Sequence, residues 1–526
     1  MATLALAAAG AAAGSALLPS GLSIFGATIA GATIGSQIGA LAGSFVDQAL
    51  FGVSGQNRTF TGPRLSDLRV TASTEGAPIP RVYGCARVGG QVIWATEFEE
   101  EVVTSKVSGG GKGGGSSGGS AKQIEYRYYA NFAVGLAEGE ISGIGRVWAD
   151  GQELDLSTVT WRLYTGSEDQ LPDSLISARE GAGHAPAYRG LAYIVFERMP
   201  LAPFGNRIPQ LSFEVFRPVD DFHRLVRGVV LIPGTGEFVY ASEEVTRREA
   251  GGMQVSENVH TRQGGTDWTV AIDQLQASLP NAKSVSLVTS WFGTDLRASH
   301  CQIRPGVEIG NKETKPLTWR VAGLSRSQAY LVSRHEGRPA YGGTPSDHTV
   351  IAAIRDLKER GLSVTLTPFI LMDVPANNRL PNPYNGGAPG QPAYPWRGRI
   401  TLSLAPGQSG SPDKTAAAAT EISKFVGTAS INDFTISGSD VIYRGPSEWS
   451  YRRFILHYAF LAKAAGGVDA FVIGTEMRGL TQVRSSPDTY PFVAALIQLA
   501  ADVKTILGPN TKVTYAADWS EYFGHH

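Results

Sequence analysis

Charge and cysteine are scarce in this 526-residue chain, and both shortages narrow its possible functions. Charged residues make up 18 % of the chain, against about 25 % in typical proteins, and the formal net charge is −1. No broad basic surface is available for DNA or RNA, so no specific nucleic-acid partner is expected. The two cysteines, Cys85 and Cys301, form no C-x-x-C pair, which argues against a disulfide scaffold and a zinc ribbon. No motif indicates a cofactor or a metal site.

The first 46 residues contain no charged side chain and consist mainly of Ala, Gly, Leu and Ile. A secretory signal peptide begins with Lys or Arg and has a shorter apolar core, so no cleaved signal is expected here. We interpret residues 1–54 as an apolar, Gly/Ala-rich helical segment that Pro19, Ser20 and Gly21 divide in two.

Four glycines in this segment recur every four residues, which places them on one ridge of a helix: Gly31, Gly35, Gly39 and Gly43. Helix backbones approach each other closely along such a ridge. Three interpretations stay open: packing against copies of the chain in an assembly, insertion into a membrane, and disorder. The stretch from Leu22 to Leu50 is long enough to cross a bilayer.

Residues 55–219 alternate short β-like runs with Gly, Pro and Asp turns, which predicts a β-rich domain. Strands are expected at 91–96, 126–134 and 190–196. Residues 108–120 are almost entirely Gly and Ser, which predicts a flexible loop between two strands rather than a phosphate-binding loop.

Four phrases in this region occur in the order found in the hub or tail-tip proteins of long-tailed phages. They are Pro78–Gly84, Val134–Ile144, Val147–Gly151 and Pro203–Pro209. The domain therefore resembles those proteins, and the resemblance implies a ring-forming domain that caps a tail tube.

Residues 220–526 alternate apolar runs with amphipathic stretches, as expected for βα units around a parallel sheet. Four strands are expected, at 284–289, 363–372, 468–474 and 512–517. One amphipathic helix is expected between Ser346 and Gly361. Another is expected to stop at Gly508, with a buried side made of Phe492, Val493, Leu496, Ile497, Ala500 and Val503. A barrel needs eight, and the sequence stops just past the last of them. We therefore expect an incomplete (β/α) barrel, which either a longer natural chain or another segment completes.

Two phrases in this region are specific enough to indicate a family, namely Phe471–Leu480 and Tyr515–Gly524. They resemble the TIM-barrel-like, glycosidase-like domain of the large multidomain baseplate protein of gene transfer agents. The predicted fold is therefore multidomain, with an N-terminal helical segment, a β-rich tail-hub-like domain and an incomplete TIM-barrel-like domain.

Chemistry in such barrels sits at the C-terminal ends of the strands, and several acidic and aromatic residues are placed there. Glycoside hydrolysis needs two carboxyl groups that flank the scissile bond. We take Glu476 as the candidate acid/base and Asp518 or Glu521 as its partner. The candidate glycan-contact residues are Trp291, Asp373 and Trp519.

Two observations weaken the catalytic interpretation. Glycosidases of this type commonly have Asn before the acid/base Glu, where this chain has Thr475, and their nucleophile usually lies on a later strand. The alternatives are non-catalytic glycan binding and a structural role, in which Glu476 pairs with Arg478 or another cation and Asp518 and Glu521 cap a helix.

Taken together, these features predict a structural, non-enzymatic component of the tail baseplate or tail tip of a phage-like particle, located in the virion. It would act in host attachment and DNA delivery. The resemblance implies a trimer about the tail axis, with tail hub and distal tail proteins as neighbours and host envelope glycan or membrane as a further contact. The alternative is a glycoside hydrolase that acts on cell-envelope polysaccharide through Glu476.

Overall fold

The computed structural model of the chain describes residues 22–24, 27–29, 76–107, 121–181, 183–218, 221–232 and 234–522. It divides into two compact units. One comprises residues 1–218 with 262–264, and the other comprises residues 219–261 with 265–526.

The N-terminal segment is described only at two short strands, β1 (Leu22–Ile24) and β2 (Ala27–Ile29), which pair antiparallel. The prediction of helix is therefore wrong for these residues. The β-branched residues Ile24, Thr28 and Ile29 favour extended backbone, and this preference outweighs the Ala/Gly composition of the segment. Gly31, Gly35, Gly39 and Gly43 lie outside the described residues, as do residues 108–120.

Over its described residues the first unit is an antiparallel β domain that includes a short helix, α1 (Ser174–Glu180). Its further strands are β3 (Gly84–Gly89), β4 (Gln91–Ala95), β5 (Glu99–Val107), β6 (Ala121–Glu138), β7 (Gly143–Ala149), β8 (Gln152–Glu153), β9 (Thr160–Tyr164), β10 (Leu191–Pro200) and β11 (Leu211–Arg217). The strands expected near 91, 126 and 190 are confirmed as β4, part of β6 and β10.

Two sheets share one core in this unit. One sheet has the order β4-β6-β10-β9, with β5 paired to β6, and the other has the order β3-β11-β7-β8. Phe132 and Ile194 of the first sheet and Phe213 and Val215 of the second are buried in the same apolar cluster. Because strands in a sandwich alternate their side chains, the opposite face of β6 and β10 packs on Ile176 of α1.

The second unit is built on a sheet whose main strands are parallel and lie in chain order, β12-β15-β24-β27-β28. Its strands are β12 (Gly228–Leu231), β13 (Thr246–Arg248), β14 (Gln254–Ser256), β15 (Ser284–Gly293), β16 (Ile303–Arg304), β17 (Gly306–Val307), β18 (Thr314–Lys315), β19 (Arg320–Val321), β20 (Leu324–Ser325), β21 (Tyr330–Leu331), β22 (Arg334–His335), β23 (Arg338–Pro339), β24 (Ser363–Met372), β25 (Phe434–Ser437), β26 (Asp440–Tyr443), β27 (Ala470–Thr475) and β28 (Lys512–Ala516).

Except for the first, which precedes β12, the helices of this unit lie between successive parallel strands. They are α2 (Asp221–Leu225), α3 (Asp267–Ser278), α4 (Asp347–Glu359), α5 (Ala416–Val426), α6 (Tyr451–Ala464), α7 (Arg478–Thr481) and α8 (Pro491–Leu507). Strands in chain order joined by helices are the arrangement of successive βα units in a barrel. All four expected strands are confirmed, and β12 is an additional parallel strand that the sequence analysis missed.

Helix α4 follows the expected pattern, with Ser346 at its N-cap and Val350, Ile354 and Leu357 buried. Helix α8 is present where it was expected, and Phe492, Leu496 and Val503 of its predicted buried side are buried, but Val493 is not. Leu499 and Ile506 are buried, whereas Ile497 is largely exposed. The helix is apolar on more than one side, so its periodicity alone does not identify the face that meets the sheet.

Candidate functional site

The candidate residues of the second unit lie at the C-terminal ends of its parallel strands. Long insertions follow β15 and β24 at this edge, covering residues 294–346 and 373–450. Glu476 follows β27 directly, and Asp518 lies two residues after β28. In βα barrels this edge carries the functional loops, so the fold places the predicted residues where a site is expected.

The backbone at Glu476 departs from regular strand geometry. Its φ is +51°, and the pairing of β27 with β28 shifts register between Val472 and Thr475. A Cβ at Gly474 would collide with the Tyr451 hydroxyl and lie 3.1 Å from the Tyr515 ring, so any larger residue there would displace these two side chains. A bulge of this kind redirects a side chain at the end of a strand. Here it turns Glu476 toward the loop that follows β24.

The carboxylate of Glu476 is held by two donors from that loop. The guanidinium of Arg397 donates to Oε2 at 2.6 Å, and Nε1 of Trp396 donates to the same oxygen at 2.8 Å. The Glu476 side chain is 37 % exposed, whereas Arg397 is buried. The cation expected beside Glu476 is therefore Arg397 rather than Arg478.

Arg397 is fixed independently of Glu476. Its Nε donates to the carbonyl oxygen and the hydroxyl of Thr475, at 2.9 and 2.7 Å, and its guanidinium stacks 3.6 Å from the ring centroid of Phe369. Burial lowers the pKa of Arg397, and the charge of Glu476 opposes that effect. The pair therefore ties the loop after β24 to the end of β27.

Asp518 and Glu521 form a capping box around a short helical turn, Trp519–Glu521. The Asp518 side chain accepts from Ser520, and the Glu521 side chain accepts from the Asp518 amide at 2.7 Å. Glu521 also accepts from the hydroxyls of Thr481, at 2.7 Å, and Tyr515, at 3.0 Å. The hydrogen bond from Ser520 lowers the pKa of Asp518. Both carboxylates thus cap the helical turn, as the structural interpretation of the sequence predicted.

The three predicted glycan-contact residues differ in exposure. Trp291 is fully buried between aromatic side chains of α6, including Phe454, with ring centroids 5.3 Å apart. The prediction that Trp291 contacts glycan is wrong, because this residue lies on the face of β15 that packs against helices. Asp373 is also buried and accepts hydrogen bonds from Tyr330 and Ser333, so it organises the loop after β15. Trp519 is 77 % exposed, and its glycan contact stays a prediction.

Arg397 and Trp396 were not predicted from the sequence as partners of Glu476. They precede Glu476 by about eighty positions within a long insertion, and no local periodicity relates them to it. The short phrase Pro395-Trp396-Arg397 offers an aromatic donor and a guanidinium side by side, which is the one local signal available.

The described residues provide neither a metal-ligand cluster nor a membrane-spanning helix. Within the described ranges, no group of three or more His, Cys, Asp or Glu side chains is placed to hold a metal ion. Among the helices that the structure describes, none has the length and apolar character needed to cross a membrane.

Comparison with known families supports the assignment of the second unit. Residues 449–526 match the family described as the GTA TIM-barrel-like domain. This stretch includes β27, Glu476, β28 and the capping box. The chain is accordingly multidomain and β-rich, with a TIM-barrel-like domain at its C-terminal side.

Solved structures give further similarities. A chain of the virion of a native gene transfer agent particle shares 42 % identity over 40 % of this chain and 45 % of that chain, with a TM-score of 0.26. A complex of a GH113 β-1,4-mannanase shares 16 % identity, covering 46 % of each chain, with a TM-score of 0.21. A GH113 β-mannanase from Alicyclobacillus acidocaldarius in complex with ManMIm shares 20 % identity, covering 36 % of this chain and 43 % of that one, with a TM-score of 0.19.

These superpositions carry no argument, because every TM-score is below 0.5. The chain spans less than half the length of the virion chain that it resembles. Comparison with curated proteins gave no match.

Proposed function

We propose that the chain is a structural component of the tail baseplate of a phage-like particle, of the gene transfer agent or long-tailed phage type, and that it takes part in host attachment and DNA delivery. The match of residues 449–526 to the GTA TIM-barrel-like domain carries this proposal. The 42 % sequence identity with a chain of the gene transfer agent virion supports it at the level of sequence.

The first unit adds support from a different part of the chain. The phrases that resemble phage tail-tip proteins fall on its sheet strands and their turns, with Val134–Ile144 spanning the end of β6 and the start of β7. A two-sheet sandwich with short turns provides the rigid body that a ring-forming subunit needs. We propose that this unit contributes to a ring about the tail axis, with hub and distal tail proteins as neighbours.

A long β-ribbon in the first unit provides a surface for contact between copies of the chain. Over residues 100–107 and 121–128, strands β5 and β6 pair only with each other in the described part of the unit. Val102 and Tyr126 lie directly opposite each other in this ribbon, and each is 54 % exposed. Two-stranded ribbons are marginally stable alone, so packing on another subunit would stabilise this one. We propose a second copy of the chain as that partner.

The geometry at Glu476 favours a non-catalytic barrel. A glycosidase needs two carboxyl groups free to face one glycosidic bond. Both donors to Glu476 occupy one of its oxygens, and Asp518 and Glu521 are engaged in the capping box. The three candidate carboxylates thus have partners within the chain that account for their presence.

Immunogold labelling of intact particles tests the proposal. Antibodies raised against residues 121–218 should label the tail end of particles from a producing culture, and antibodies against the capsid protein of the same particles should label the heads. Label confined to the heads, or absence of the chain from purified particles, would reject the proposal.

A further inference from the structure

A cleft of about 690 Å³ lies at the C-terminal edge of the barrel-like sheet, between the insertions that follow β15 and β24. The β22–β23 hairpin forms one wall and contributes His335 and Arg338, which are cross-strand partners. Tyr341 and Tyr394 provide the aromatic part of the lining. Glu336, at the tip of the hairpin, also lines the cleft. None of these residues belongs to the group around Glu476.

The hairpin wall is held in a defined shape. Glu336 and Gly337, at its tip, have φ of +50° and +79°, the combination that a two-residue type I′ turn requires. At its base, Ser333 donates its amide to the buried Asp373 carboxylate at 2.8 Å, and Tyr330 donates its hydroxyl to the same oxygen at 2.8 Å. A buried carboxylate that accepts several hydrogen bonds fixes the groups around it. His335 and Arg338 are therefore presented from an anchored support.

The two tyrosines form a corner rather than a stack. Their ring centroids are 5.7 Å apart and the planes are inclined by 85°. Tyr394 has a φ of +47°, unusual for an aromatic residue, and its amide donates to the Val374 carbonyl at 2.8 Å. The Tyr341 hydroxyl donates to the Met372 carbonyl at 3.2 Å, and burial raises the pKa of Tyr341 to about 12. Both rings are thus held in place, and strained backbone of this kind often accompanies binding sites.

We propose that this cleft binds a saccharide that carries an anionic group, a carboxylate or a phosphate. Tyrosine rings offer flat apolar faces with polar edges, which suits the alternation of C–H and hydroxyl groups on a sugar. Within the described part of the chain, Arg338 forms no ion pair, so its guanidinium is available to an acidic group. The ring of His335 lies on the same wall, and its Nε2 is 4.0 Å from the Glu336 carboxylate.

Two other ligand classes fit less well. Tyrosine corners can hold organic cations, but Arg338, which forms no ion pair within the described residues, opposes a positive ligand, whereas the Glu336 carboxylate lies beside His335. A purely apolar ligand would leave the guanidinium of Arg338 without an acceptor. This inference rests on the proposed function in one respect: the saccharide would be the host ligand to which the particle attaches.

Binding of defined oligosaccharides to the full chain tests this inference. We suggest isothermal titration at pH 7 and low salt with tetragalacturonic acid, neutral mannotetraose and mannose 6-phosphate as probes. The acidic probes should bind more tightly than mannotetraose, and comparison of the two acidic probes distinguishes carboxylate from phosphate recognition. Because electrolyte screens charged groups, the preference should shrink in 0.5 M salt.

Three variants make the test specific. Arg338→Ala removes an exposed side chain and should weaken binding of the preferred acidic probe about tenfold, as expected for one charge-assisted hydrogen bond. Tyr394→Leu, checked for folding by circular dichroism, should weaken all probes. Arg248→Ala removes another exposed arginine of the same unit and should leave binding unchanged.

Binding of none of the probes, equal affinity for neutral and acidic probes, or equal loss in Arg338→Ala and Arg248→Ala would each overturn the inference. These measurements use the purified chain and are independent of its position in a particle. Failure of the binding test and failure of the particle-labelling test are therefore distinguishable.

Discussion

The guanidinium of Arg397 lies 2.6 Å from Oε2 of Glu476 and joins the loop after β24 to the end of β27. This ion pair gives Glu476 a structural role at the end of β27. The role accounts for the glutamate without any catalytic function. Arg397 is buried and makes further bonds to Thr475, whereas Glu476 is partly exposed. The two residues should therefore contribute unequally to stability.

We predict that Arg397→Met destabilises the second unit more than Glu476→Gln does. Loss of Arg397 removes its stacking on Phe369 and three hydrogen bonds, two to Thr475 and one to Glu476, so the free energy of unfolding should fall by about 3 kcal/mol. Glutamine keeps an acceptor, and solvent screens the exposed part of the pair, so Glu476→Gln should cost about 1 kcal/mol. Urea denaturation followed by tryptophan fluorescence measures both. A larger loss in Glu476→Gln would contradict the structural role of Arg397.

Two tryptophans that the sequence analysis treated alike should behave differently. Trp291→Ala empties a fully buried site and should lower the free energy of unfolding by about 3–5 kcal/mol. Trp519→Ala removes an exposed ring and should change it by less than about 0.5 kcal/mol. The same denaturation assay compares them, and equal effects would show that Trp291 is not a core residue.

A buried ion cluster in the second unit predicts a dependence of stability on pH. The Glu237 carboxylate lies 2.8 Å from Lys312 and 2.6 Å from Arg326. Burial raises the pKa of Glu237, but the hydrogen bond from Arg326 and the charge of Lys312 outweigh burial and hold it below its ordinary value. A lowered pKa stabilises the fold above the pKa of the unfolded chain, about 4.3, and this contribution is lost as the pH falls through the folded pKa.

We therefore expect Glu237→Gln to lower the free energy of unfolding by about 3 kcal/mol at pH 7, chiefly because it leaves the buried Arg326 without its carboxylate, whereas Lys312 keeps Glu257 at 2.6 Å. The difference from the unsubstituted chain should shrink as the pH falls below about 4.3. The pKa of Glu308 is raised by burial and by the Glu237 charge, so its contribution has the opposite sign. Urea denaturation of both proteins between pH 3 and 7 checks this, and a difference that grows on acidification would disprove it.

The exposed ribbon of the first unit should affect assembly rather than folding. Tyr126→Glu introduces a charge into an exposed apolar cross-strand pair. It should lower the fraction of oligomer at least fivefold in analytical ultracentrifugation, with little change in circular dichroism. Tyr83→Glu, which alters an exposed tyrosine outside the ribbon, serves as the control. Equal oligomer fractions in the two variants would exclude the ribbon as the contact between copies.

Local features of the fold were predictable because neighbouring residues determine them. Ser346 and Gly361 mark the ends of α4, and Asp518 with Glu521 has the spacing of a capping box, which the structure confirms. Strand β12 was missed because its four residues are too few to show a period. The exposure of Ile497 was missed because an apolar helix does not by itself indicate which side meets the sheet.

The candidate site was less predictable because its contacts join distant parts of the chain. Glu476 was identified from a phrase that surrounds it, but its partner Arg397 is set by the packing of the insertion after β24. The cleft combines a hairpin near residue 336 with Tyr394, and no spacing rule relates the two. Trp291 was misassigned because its position near the end of β15 did not indicate which face of the sheet it occupies.

A cryo-electron microscopy map of intact particles from a producing culture tests the central proposal most directly. It should show the first unit as a β sandwich in a ring around the tail axis at the end of the tail, with the five parallel strands of the second unit traceable in the same subunit. A map in which every subunit of the tail end is traced and none corresponds to this chain would contradict the account.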